Sequence, residues 1–91
     1  MRVLKSKVYG KVQGVWFRKY TLDSARDIGV VGMVKNLADG TVLVNASGKD
    51  ENLRKFKELL ENGSPNSIVD KIDYSWEDSS IEYSTFEIEY K

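Results

Sequence analysis

The period of the hydrophobic pattern changes from two residues to about 3.6 within the first thirty positions, and nothing else in the chain restricts the fold as much. Residues 3–12 alternate: Leu4, Val8 and Val12 share one face with the small Ser6 and Gly10, and Lys5, Lys7, Tyr9 and Lys11 share the other. A strand of this kind has one buried and one wet face, as in an antiparallel sheet open to solvent on one side. The lysines then read as a solvated sheet face, with Glu87 and Glu89 of a later strand expected opposite them. Residues 18–28 follow as a helix, in which Leu22, Ala25 and Ile28, with Phe17 just ahead, keep helical spacing and Gly29 supplies a stop.

The rest of the chain continues in these two periods. Residues 30–37 form a strand rich in β-branched side chains, Ala38-Asp39-Gly40 a tight hairpin turn signalled by Asp-Gly, and residues 41–47 the returning strand, with Val42, Val44 and Ala46 facing inward. Asp50 is placed to cap a second helix carrying Leu53, Phe56, Leu59 and Leu60, which Asn62-Gly63 ends and Ser64-Pro65 prevents from continuing. A strand over 68–76 puts Ile72, Tyr74 and Trp76 on one side; after a polar turn at 77–80, a last strand alternates Phe86, Ile88 and Tyr90 with Thr85, Glu87 and Glu89. The order is βαββαβ with a short extra strand. Its simplest packing is α+β: a ferredoxin-like α/β sandwich, an antiparallel sheet with both helices on one face, formed by residues 1–91 as a single domain. Folds of this type host many functions, so function has to be argued from a site.

Composition narrows the chemistry sharply. The chain has neither Cys nor His, which removes disulfides, thiolate nucleophiles, the usual zinc ligands and the usual base at neutral pH. Acids and bases balance at 14 each, so no global field favours nucleic acid or an anionic membrane surface. No apolar run approaches a membrane span. Walker-type and dinucleotide-binding loops are absent, as are the stacking aromatics by which RNA-binding domains of this strand order read bases. Catalysis, if present, must run on Arg, Asn, backbone amides, carboxylates or the substrate itself.

Two places could carry such chemistry. The first is Val12-Gln13-Gly14-Val15-Trp16-Phe17-Arg18, between the first strand and the first helix. A turn there points its N–H groups and the unpaired N–H groups of the helix into one space, at the positive end of the macrodipole. Gly14 permits close backbone approach or a positive φ, and Arg18 adds a planar charged fork suited to two phosphate oxygens. A phosphate cradle and an ordinary strand-to-helix turn with a solvated Arg both fit these residues. The second place is Asn36, a residue type disfavoured in strands that here ends one. Its amide either satisfies local backbone or supplies a donor and acceptor that hold a water.

These residues closely resemble the acylphosphatase family. The signature Gly-x-Val-Gln-Gly-Val-x-Phe-Arg stands as Gly10-Lys11-Val12-Gln13-Gly14-Val15-Trp16-Phe17-Arg18, and a second stands as Gly32-Met33-Val34-Lys35-Asn36 followed by Gly40, Val42 and Gly48. Gly63-Ser64-Pro65 and the closing Phe86-Glu87-Ile88-Glu89-Tyr90 are similar to the family's as well. Met33 departs from the usual aromatic, and Trp16 fills a position that the family leaves variable. The resemblance implies a ferredoxin-like fold and hydrolysis of the carboxyl–phosphate bond of acyl phosphates, without metal or cofactor. It assigns phosphate binding to Arg18 and to the backbone of Gln13, Gly14, Val15, Trp16, Phe17 and Arg18, and orientation of the attacking water to Asn36. The Trp16 and Phe17 side chains are expected to pack the loop. An acyl phosphate is then the substrate and inorganic phosphate the product and competing ligand; the chain is expected to be a cytoplasmic monomer with no nucleic-acid or membrane partner. The alternative is a non-catalytic phosphate- or protein-binding module of the same fold.

Overall fold

A computed structural model describes residues 2–14 and 16–90. In chain order the elements are β1 (Arg2–Lys11), α1 (Phe17–Ile28), β2 (Val31–Asn36), β3 (Val42–Ser47), α2 (Asp50–Asn62), β4 (Ile68–Asp78) and β5 (Phe86–Glu89). The strands form one sheet in the order β4-β1-β3-β2-β5, the ferredoxin-like arrangement with one strand added at an edge.

Three strand pairs are antiparallel, as expected, and the fourth, β2 with β5, is parallel. The topology requires this. β4 and β2 run in opposite directions, so a chain that reverses after β4, crosses the sheet and docks beside β2 arrives running the same way as β2. Tyr83 lies on that crossing, its hydroxyl 3.5 Å from Asn45 Nδ2. The arrangement also overturns the expected pairing of Glu87 and Glu89 with the β1 lysines, because β3 and β2 lie between β1 and β5. Lys5 instead pairs with Glu77 at 3.5 Å and Lys7 with Asp39 at 3.0 Å, while Glu87 takes Arg26 at 3.3 Å.

On the helix-facing side the ladder places residues in rows. Leu4, Ala46, Gly32 and Phe86 form one row and Ser6, Val44, Val34 and Ile88 the next. Val8, Val42 and Asn36 form the third. The helices close over these rows with Phe17 and Ala25 of α1 and Leu53, Phe56 and Leu60 of α2, all buried. Each such side chain contributes roughly 1.5–3 kcal/mol by leaving water. Phe56 meets Phe86 edge-on at 5.8 Å, which joins α2 to the last strand.

One local expectation is corrected. Asp50 is the first helical residue of α2 rather than its cap; Lys49 holds the cap position and makes no side-chain bond there. Asp50 and Glu51 instead place negative charge in the first turn, against the positive end of the helix dipole. The β2–β3 turn spans the three residues expected, Ala38-Asp39-Gly40. Leu37 N–H donates to Thr41 O at 2.9 Å and Gly40 N–H to Leu37 O at 3.2 Å, with Gly40 at φ 89°. The left-handed Gly40, last of the three, gives the hairpin its closure.

Candidate active site

α1 begins under unusual conditions. Its cap position is Trp16, whose φ of 62° makes it the one non-glycine among the described residues with a positive φ. A bulky side chain in this region is an outlier, at a cost of about 1–3 kcal/mol. Trp16 O accepts the first helical bond, from Tyr20 N–H at 2.9 Å, so the N–H groups of the residues before Tyr20 have no partner within the helix. No side chain caps them, and the first turn carries no acid. The contrast with α2 is direct: there two acids offset the dipole, whereas here Arg18 and Lys19 add positive charge to it.

This helix end opens on a cavity of about 420 Å³. Gly14, Arg18 and Lys19 supply its polar side, and Val12, Phe17, Trp16, Ile88 and Tyr90 its apolar side; no carboxylate residue is among them. Gly14 has φ 73°, a conformation that directs the loop toward the cavity and that L side chains rarely adopt. Lys19 is held by Asp23, one helical turn on, at 2.9 Å. Arg18 makes no ion pair among the described residues, and its guanidinium lies over the Tyr90 ring, 5.0 Å from the centroid.

Asn36 reaches the same end of the sheet from inside. It sits on the helix-facing side in the row of Val8 and Val42, where a polar residue is out of place. Its Oδ1 is buried with no hydrogen-bond partner, so the account in which this amide satisfies local backbone fails for its oxygen. A buried acceptor without a partner costs free energy and calls for an explanation. The last pair of the β2–β5 ladder is Lys35 with Glu89, and the next residues along the two strands are Asn36 and Tyr90. Tyr90 thus connects the two sequence candidates, since Arg18 stacks on its ring.

Gln13 ties the loop to the hairpin that follows Asn36. Its Nε2 donates to Leu37 O and Thr41 O, both at 2.9 Å, which spends both amide protons across the neck of the hairpin. The turn is held on its other side by Asp39, whose Oδ1 accepts from Thr41 N–H at 3.1 Å and from the Thr41 hydroxyl, and which pairs with Lys7. Those bonds, the Thr41 hydroxyl's first, pull the Asp39 carboxyl down to about 2, and its partner Lys7 is correspondingly raised.

Of the residues expected at the site, Gly14, Trp16, Phe17 and Arg18 line one cavity; Asn36 is not in that lining and follows the last β2–β5 pair on its strand, as Tyr90 does on the other. Gln13 borders the loop with its side chain turned to the hairpin, and Val15 lies outside the described residues. Phe17 packs the loop as expected, 1% exposed. Trp16 does not: it is 78% exposed, which overturns the expectation that its side chain is loop packing. Sequence reasoning missed Tyr90 and the role of the Gln13 side chain. Tyr90 shares a strand face with Phe86 and Ile88, which was a usable signal; Gln13 gave none, because its partners lie 24 and 28 residues away.

The acylphosphatase family model matches residues 4–88. The chain belongs to the acylphosphatase family. Acylphosphatase-2 of Bos taurus is 48% identical over 95 residues, covering 98% of this chain and 96% of that protein. An acylphosphatase of Dehalococcoides mccartyi strain CBDB1 is 42% identical, over 99% of this chain and all of the relative. The crystal structure of acylphosphatase from Bacillus subtilis superposes with a TM-score of 0.92 at 37% identity, covering 99% of this chain and 100% of that one. In this acylphosphatase family member Met33 is buried beside Asn45 on the far face of the sheet and takes no part in the site. Among the described residues no helix is long and apolar enough to cross a membrane.

Proposed function

We propose that the chain hydrolyses acyl phosphates to a carboxylate and inorganic phosphate, by attack of an oriented water on phosphorus. Phosphoryl transfer asks a protein mainly for positioning and for charge stabilisation of three oxygens. The uncapped, acid-free N-terminus of α1, opening beside Arg18 on one cavity, is the observation that carries this reading. Main-chain N–H groups of the loop from Gln13 to Phe17 and of Arg18, with the Arg18 guanidinium, hold the phosphoryl oxygens. Asn36 Oδ1 accepts a hydrogen bond from the water and keeps it in line with the phosphorus–oxygen bond to be broken.

The leaving group is a carboxylate, so protonation by a general acid is unnecessary, and a chain without His can supply the rest. The water's proton passes to a phosphoryl oxygen. Metal is not required on this reading: the described residues lining the cavity include the cations Arg18 and Lys19 and no carboxylate, which suits an anion and would repel a bare cation. Residues 1–91 act as one domain, a cytoplasmic monomer with no nucleic-acid or membrane partner. Family membership favours this enzyme over a non-catalytic binding module.

The test is phosphate release from acetyl phosphate or benzoyl phosphate with EDTA present. Sustained release is expected; no release without EDTA would remove the activity, and loss only with EDTA would remove the metal-free mechanism.

A further inference from the structure

The cavity is larger than a phosphoryl group needs, and its two sides differ in chemistry. At about 420 Å³ it falls in the range of small-molecule pockets, roughly 300–1,000 Å³. Arg18 and Lys19 supply cations. Val12, Ile88, Trp16 and Tyr90 supply apolar surface beside them, and of these Trp16 and Tyr90 are 78% and 79% exposed. A large aromatic side chain left in water at the mouth of a polar site is an unspent binding surface.

Trp16 is the more informative of the two. The Arg18 guanidinium already lies over the Tyr90 ring, whereas Trp16 has no ring or cation partner among the contacts of the described residues. Its side chain caps no helix N–H and fills no core, yet the backbone holds it in the left-handed region within the phosphate-binding loop, at the cap of α1. The backbone serves the start of α1, where Trp16 O accepts from Tyr20 N–H, but the indole has no use within the fold. A ligand that covers the indole would give it one.

On the reading given under Proposed function, we propose that the apolar side of this cavity receives the acyl group, and that Trp16 makes this chain selective for acyl phosphates with an aromatic or extended apolar acyl group over small polar ones. With the phosphoryl group fixed at the α1 N-terminus, the acyl carbon chain leaves along the Trp16, Ile88 and Tyr90 wall. An aromatic acyl group stacks on the indole there, whereas an acetyl group is too short to cover it.

The experiment measures kcat/KM for benzoyl phosphate and for acetyl phosphate, with inhibition by inorganic phosphate, on the wild-type chain, Trp16→Gly and Trp16→Phe. Glycine suits the left-handed backbone, so Trp16→Gly removes the ring without adding strain. The wild type should prefer benzoyl phosphate; Trp16→Gly should lower the benzoyl-to-acetyl ratio about tenfold, and Trp16→Phe should hold it within about threefold of wild type. An unchanged ratio in Trp16→Gly, with the wild type hydrolysing both substrates, would overturn the proposal and leave the activity standing. A parallel fall for both substrates and for phosphate would also overturn it, by showing that Trp16 serves only the loop's conformation. Hydrolysis of neither substrate by the wild type would remove the activity itself.

Discussion

The Arg18 guanidinium stacks on the ring of Tyr90, 5.0 Å from its centroid. One residue comes from the first turn of α1 and the other follows the last strand, so the contact ties the first helix to the end of the chain's last strand. At an exposed site such a contact contributes about 0.5–1 kcal/mol. If the ring holds the guanidinium ready for phosphate, Tyr90→Ala should weaken inhibition by inorganic phosphate about two- to fivefold, and Tyr90→Phe should match wild type. Steady-state inhibition constants for the three proteins decide it.

Arg18 itself should matter more. A hydrogen bond to a charged group contributes about 1.5–3 kcal/mol, so Arg18→Ala should weaken phosphate binding by about tenfold or more and lower turnover with it. Arg18→Lys should recover little, because an ammonium cannot reproduce the two-pronged geometry. Phosphate titration by calorimetry separates binding from turnover. An Arg18→Ala protein that binds phosphate as tightly as wild type would place the anion elsewhere.

At Asn36 function and stability should part. The buried Oδ1 has no partner, and the side chain sits in a row of valines opposite Val42. Asn36→Val removes an unsatisfied acceptor and suits a half-buried strand, so the protein should gain about 1 kcal/mol in urea unfolding. The same change should abolish most turnover and alter phosphate affinity far less. Loss of stability together with full activity would contradict both roles given to Asn36.

Asp39 links the hairpin to pH. Its carboxyl is drawn down to about 2, first by the Thr41 hydroxyl and then by Lys7. A group whose pKa is lower in the folded state stabilises above its unfolded value, near 3.9, and that contribution disappears as pH falls toward 2. Urea midpoints of the wild type should therefore decline between about pH 4 and pH 2 more steeply than those of Asp39→Asn. Parallel curves across that window would show that the carboxylate contributes nothing.

Gln13 offers the sharpest check on how the loop is held. Its two hydrogen bonds to the Leu37 and Thr41 carbonyls should together contribute about 1–3 kcal/mol. Both carbonyls keep a main-chain partner without it, from Gly40 and Leu37. Gln13→Ala should thus lose stability in that range and fall several-fold in kcat, because the phosphate loop and Asn36 lose their common anchor. Unfolding and turnover measured on the same preparation provide the comparison.

Residue periodicity located all seven elements, and it did so because each has one face against a single core. It also placed Arg18 at a helix start and Asn36 at a strand end, since those positions follow from local boundaries. What it could not supply were relations across the sheet. The parallel docking of β5 depends on where the chain lands after β4, and the Gln13 clamp depends on a turn 24 residues away; neither leaves a local pattern. Asp50 misled because an acid serves almost equally well as a cap or one position inside the helix. Trp16 misled because aromatic residues usually pack, and only the left-handed backbone turns this one outward.

The Gln13 clamp has a consequence for how the protein comes to life. Its two anchor carbonyls align only when β2 has zipped to β3 and β3 to β1, so the anion-binding amides and the water-holding side chain come into register in one cooperative event. A half-assembled chain, with one helix and one hairpin formed, would possess every reactive group and still do no chemistry. Recovery of turnover during refolding should therefore trail secondary structure and coincide with closure of the central strands.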